Sequence, residues 1–285
     1  MSATTIKRGL AATLALACIG LVHGCGDDSA PAGPNGSMLD PGFLEVQPKI
    51  NMFLDSASVA FSAGFSSYNE VPVTGGDINV FYGPVAPGGT PQSTYEYTAD
   101  GWHHITLSVN GAATIVGVND SMQFTAGGIA QQDPASADAL DYRHHWAVTA
   151  VDQSGDFVNQ RGDVSLVFLT LTGNSATLAG SYDYFVVDNT VDVGVTTNNT
   201  FDFAATLNIG VGKPAIGPWG SGCPASGQVS FTVGQTRIIT TQTASGTTVT
   251  NWTGTATFTA GVALVSLSNG IDNWTYSRSV CAPTQ

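Results

Sequence analysis

Apolar and polar positions change period once along this chain. Between residues 47 and 66, Ile50, Phe53, Leu54, Ala57, Phe61 and Phe65 recur every three or four places. That is the stripe of an amphipathic helix packed on a sheet. Pro48 suits a first turn, where its missing N–H costs nothing. Gly64 and Ser66-Ser67 mark where the helix frays. A helix lying on a membrane surface is the disfavoured alternative, because Lys49 is the one cation on the polar side.

From Val71 onwards the period is two. Strands are expected over 77–82, 93–98, 102–109, 113–118, 142–151 and 163–172. Longer strands or hairpins follow over 175–188 and 191–210. His103, Ile105, Leu107 and Val109 share one face of their strand and Thr106 and Ser108 the other, the alternation of a half-buried antiparallel strand. Asn110-Gly111 is a hairpin turn. Pro84, Pro87 and Pro91 keep 83–91 out of any ladder. Asp133-Pro134 sits in a loop over 127–140. Residues 210–227 hold six glycines and three prolines, a candidate boundary. Beyond it, Asn251-Trp252-Thr253 recurs as Asn273-Trp274-Thr275, which suggests two strands running the same way in a meander.

The pattern predicts a mainly β fold: an antiparallel sandwich or partly closed barrel with one N-terminal amphipathic helix. The expected organisation is a helix plus antiparallel β domain over 43–213. A meander over 214–285 extends the same fold. Composition agrees, with 42% hydrophobic and 10% charged residues and abundant Thr and Ser for the wet faces. The formal charge is −13. Such a chain repels phosphate backbones and anionic headgroups, which excludes nucleic acid as a partner and a basic patch as a membrane anchor.

Residues 1–24 read as a signal peptide. Lys7 and Arg8 precede an apolar run from Gly9 to Val22, too short to span a bilayer comfortably. Leu21-Val22-His23-Gly24-Cys25 resembles the lipobox of bacterial lipoproteins, although His23 replaces the small residue usual there. The resemblance implies that Cys25 is the first mature residue and carries acyl chains, so the protein is exported and held to a membrane by lipid. Cys18 is a poorer second candidate, and an ordinary signal cleavage is the alternative. Gly26 after the cysteine implies the outer membrane before the inner. Residues 25–42 form a flexible tether reaching about 20 Å. Loss of Lys7 and Arg8 takes the mature charge from −13 to −15. With Cys18 discarded and Cys25 acylated, Cys223 and Cys281 are left as a disulfide pair. Their closure fits four strands between them, which makes Gly234 a bulge inside one long strand over 228–243.

Chemistry is thinly marked. His103-His104 and His144-His145 are mirror images beside Trp102 and Trp146. Paired antiparallel, one histidine from each strand with Asp100 or Asp141 would make a zinc or copper site. Against this, adjacent strand residues face opposite ways. Asp183, Asp188, Asn189 and Asp192 offer hard oxygen ligands for calcium around a turn, without EF-hand spacing. Arg161-Gly162-Asp163 matches an integrin-recognition tripeptide and reads as a turn. Trp102, Trp146, Trp219, Trp252 and Trp274, with Tyr95, Tyr97, Tyr182 and Tyr184, are a glycan-stacking set or simply core. No nucleophile elbow, phosphate loop or Rossmann fingerprint is present. The expected function is therefore a non-enzymatic binding or structural role in the bacterial envelope. The partner would be a glycan or protein at the cell surface. The alternatives are a metal-dependent enzyme using the histidines and a carrier of an apolar ligand beneath the helix.

Overall fold

The computed structural model describes residues 40–69, 90–111, 114–151, 156–215, 218–219 and 223–280. The signal, Cys25, the tether up to residue 39, the 77–82 segment and Cys281 lie outside them. Helix α1 (Pro41–Asn69) begins six residues before the expected stripe. Asp40 explains the early start: its carboxylate accepts from Phe43 N at 2.9 Å and its carbonyl from Leu44 N at 3.0 Å, an N-terminal cap. Pro48 is thus interior, not in the first turn. Leu44, whose carbonyl Pro48 cannot bond, and Pro48 itself are both exposed to solvent. The predicted stripe is the buried one, and Phe43, Val46 and Ala60 extend it.

The rest is a mainly antiparallel β structure. The strands are β1 (Thr90–Tyr97), β2 (His103–Asn110), β3 (Thr114–Ala126), β4 (Ile129–Gln131), β5 (Ala139–Val151) and β6 (Phe157–Leu169). Then come β7 (Ser175–Asp192), β8 (Val195–Gly212), β9 (Pro224–Thr240), β10 (Ser245–Thr259), β11 (Val262–Ser268) and β12 (Asn273–Ser279). They form one sheet in sequence order, with β4 attached beside β3 and with β1 and β12 at the two edges. The β7–β8 turn falls at Val193-Gly194, both at positive φ, five residues after the expected end at Asp188. β9 pairs with β8 across the glycine-rich stretch, so the last four strands continue the same sheet.

Two details of the meander differ in kind. Four strands do lie between residues 223 and 281, and β10 and β12 flank β11 in the same direction. Gly234 is not a bulge, because its register with Asp202 and Asn251 runs unbroken. The shift sits at Gly210/Val211.

One face of the sheet turns towards α1 and is apolar. Phe53 lies among Tyr182, Tyr184, Phe203 and Phe231, with ring centroids 5.2 to 6.2 Å away. Phe43 stacks on Trp274 at 5.3 Å, and Trp274 meets Trp252 at 5.4 Å. Phe65 packs on Phe168 and Trp219. The helix crosses so close to β6 that a Cβ on Gly64 would lie 2.2 Å from the Phe168 ring. Polar anchors punctuate this face. Glu45 accepts from Gln235 and pairs with Arg237, Lys49 pairs with Asp188, Asn51 accepts from Tyr276, and Asp55 pairs with Arg278.

Candidate functional site

Strand alternation decides what the histidines do. β3 lies between β2 and β5, so the two histidine strands never pair and run in the same direction. The expected His103–His145 juxtaposition is therefore wrong. Two intervals of about 4.8 Å separate the strands. His103 and His144 point to the α1 side and are buried. His104 and His145 point outward. His104 Nδ1 meets Ser121 Oγ at 2.8 Å, and Trp102 stacks on its ring. Exposed His145 sits 3.4 Å from Asp163. Among the described residues no three His, Cys, Asp or Glu side chains come together to hold a metal.

The buried half of this set makes a polar cluster instead. Asp120, fully buried, accepts from Tyr142 Oη at 3.0 Å and from His144 Nδ1 at 2.6 Å. Burial, then the Asp120 charge and the bond to it, hold the Tyr142 phenol well above its usual range. One strand away, His103 Nδ1 meets Tyr95 Oη at 2.9 Å, while its Nε2 is buried without a partner. Burial, then neighbouring His104, lowers the His103 pKa. An imidazole aligned on a buried carboxylate has the orientation of a general base. No hydrogen bond joins His144 to a serine, threonine or cysteine among the described residues, so the arrangement lacks a nucleophile. Asp120 escaped the sequence reading because the expected strand stopped at Val118. Its signal is legible all the same: Val116, Val118, Met122 and Phe124 alternate inward with Asp120 among them.

The calcium set also disperses. Asp183 faces outward in the middle of β7, opposite Asp163 and Ala204. Asp188 faces α1 and pairs with Lys49. Asp192 ends the strand. Their turn does not exist where it was expected, because β7 runs straight through it. Arg161-Gly162-Asp163 is mid-strand. Arg161 lies over the Phe185 ring at 4.3 Å, and a Cβ on Gly162 would meet Trp146 at 2.2 Å.

Most of the aromatic set faces the helix, whereas Trp102 lies on the outer side between His104 and Arg143, whose guanidinium sits 4.4 Å from its ring, and Tyr97 is exposed. Trp146, Trp219, Trp252, Trp274, Tyr182 and Tyr184 are all buried, so they stack on core, not on a sugar. The outer face carries hydroxyls in their place. Ser181, Thr206, Ser230, Thr255, Ser266 and Thr275 follow one another in register across β7 to β12. A second row beside them contains Thr232, Thr253 and Ser268, with Asp183 and Asn273 at its ends. Both rows, Ser181 apart, border an open trough of about 770 Å³. Thr255, Ser268 and Thr275 are half-buried at its floor.

No protein-family model, no curated protein and no solved structure matches this chain.

Proposed function

We propose that this is an exported β-protein of the bacterial envelope, anchored by acyl chains on Cys25, with a binding or structural role and no catalysis of its own. The filled interior carries the reading. α1 packs Phe43, Phe53 and Phe65 on rings of the sheet along the stretch where a carrier would hold an apolar ligand. The histidines of the metal-enzyme alternative are divided between two faces. What the fold offers a partner is its outer surface, and cell-surface glycans or proteins are the partners this reading favours. No described helix is long and apolar enough to cross a membrane. The lipobox-like stretch ending at Cys25 is what supports attachment by lipid, with the outer membrane as the favoured destination.

Two further parts belong to this proposal. The sheet is a partly closed barrel, because Tyr68 of α1 meets Phe124 on β3 while Phe43, Asn51 and Asp55 meet β12. Strands far apart in the sheet order thus reach one helix. Cys223 pairs with Cys281, because the residues beside them meet at one turn. Gly261 N donates to Pro224 O at 2.9 Å, and Val280 N donates to Gly261 O at 3.0 Å. The closed loop adds roughly 4 kcal/mol in the chain-entropy model.

Intact mass of the protein extracted from membranes, before and after reduction, tests the whole reading. The expected species starts at Cys25, carries acyl chains and gains two hydrogens on reduction. A protein recovered without acyl chains in the aqueous fraction would overturn the anchor. An unchanged mass on reduction would overturn the disulfide.

A further inference from the structure

The outer trough has a chemistry that selects its occupant. Apart from Ala204, the side chains that point outward along it are hydroxyl and amide, with Asp183 as the one carboxylate, while Phe231, Leu267 and Trp274 border it from the α1 side and are at most 3% exposed. It offers no aromatic or large aliphatic anchor on the outward side, which a protein interface would place at its centre. Its large apolar neighbours are turned to α1 and almost wholly covered, so they offer little surface to a drug-like or lipid ligand. A chain of formal charge −13 keeps polyanions away. What remains attractive is a neutral, hydrogen-bonding ligand. Each Ser or Thr hydroxyl both donates and accepts, as a sugar hydroxyl does.

Spacing narrows the class further. The hydroxyls of the first row repeat once per strand, about every 4.8 Å, and the four intervals from Thr206 to Thr275 that border the trough span about 19 Å. A ligand made of short identical units meets the same pair of groups at each step. The trough is concave, with Thr255 and Thr275 half-buried at the bottom, so it suits a chain lying in it.

We propose that the trough binds a neutral polysaccharide chain, laid across β8 to β12 and held by the two hydroxyl rows. This rests on the binding-protein reading above and gives it a ligand class. Contact is through hydrogen bonds to Thr206, Ser230, Thr255 and Thr275 along one row and to Thr232 and Thr253 along the other. Sugar stacking plays no part, since the tryptophans of these strands face α1.

The test is calorimetric titration of the full mature protein with cellohexaose, chitohexaose and dextran, and with polygalacturonate as the anionic comparison. A Thr206→Val, Thr255→Val, Thr275→Val triple variant removes three hydroxyls but keeps shape and strand propensity on a solvent face. Thr177→Val, outside the trough, is the matched control. Saturable binding of at least one neutral probe is expected, weakened tenfold or more in the triple variant and unchanged in the control. Failure of all three neutral probes to bind overturns the proposal. So does binding that the triple variant leaves intact, or tighter binding of polygalacturonate. Circular dichroism of the triple variant shows that it folds. Acylation of Cys25 is read by mass alone, so loss of the anchor reading and loss of the glycan reading stay separate results.

Discussion

At Val193 a β-branched residue holds φ at 42° and is almost fully exposed, at 97%. The left-handed region costs an L-residue roughly 1 kcal/mol or more, and the turn gains no packing there to offset it. Asn-Gly is the preferred pair for such a two-residue hairpin. Val193→Asn is therefore expected to raise stability by about 1 kcal/mol, measured as a higher urea midpoint at unchanged m. His103 works in the opposite sense. Its folded pKa is lowered by burial and by His104, so the unfolded chain takes up the proton first as pH falls. The stability tied to His103 is full above the ordinary histidine range, near pH 6.5, and is lost as pH drops from there towards the folded value. Protonation makes both ring nitrogens donors, and the buried Nε2 has no acceptor within reach. Urea midpoints between pH 8 and pH 5 should fall more steeply for the wild type than for His103→Gln. Parallel curves would contradict the assignment.

Among elements, the helix was the most legible and its start the least. The stripe from Ile50 to Phe65 is three to four residues in period and all buried, so periodicity alone found it. The cap at Asp40 lies where Pro41-Gly42 reads as tether, and Pro48 looked like a beginning because prolines usually are. Long strands were found but cut short. The acidic and amide residues at 188–192 look like a turn, whereas here they pair with β8 and, through Asp188, with Lys49. The histidine site failed for a topological reason: local alternation places a side chain on a face, but strand order decides its neighbours, and nothing local announces that β3 separates β2 from β5. The packing of α1 gives an element-scale prediction. Phe53 touches four rings on three strands, so Phe53→Ala should cost about 3–5 kcal/mol, a cavity value. Gly64→Ala is smaller chemically, yet its methyl would enter the Phe168 ring. About 1–3 kcal/mol is expected from overpacking, read from urea melts of both variants. A neutral Gly64→Ala would mean that α1 stands further from β6 than the geometry requires.

Among the described residues, α1 is the one α-helix that covers the apolar face of the sheet. The helix supplies Phe43, Val46, Ile50, Phe53, Leu54 and Phe61, each at most 1% exposed. The sheet returns Trp252, Trp274, Tyr182 and Phe168, also under 2%. Burying one such side chain contributes about 1.5–3 kcal/mol, so the gross burial of these six helix residues, roughly 9–18 kcal/mol, is of the size of the 5–15 kcal/mol that separates most folded domains from unfolded ones. The sheet should not survive without it. A chain beginning at residue 90 is expected to lack cooperative unfolding and to bind a dye that reports exposed apolar surface. Adding a synthetic peptide of residues 40–69 should restore a cooperative melt, because the helix docks through side chains and through ion pairs such as Asp55–Arg278 at 2.5 Å and Glu45–Arg237 at 2.8 Å. A peptide carrying Phe53→Ala should restore it poorly. A residue-90 chain that melts cooperatively by itself would show that the strands close on one another without a filling, and the helix would then be a cover rather than the core.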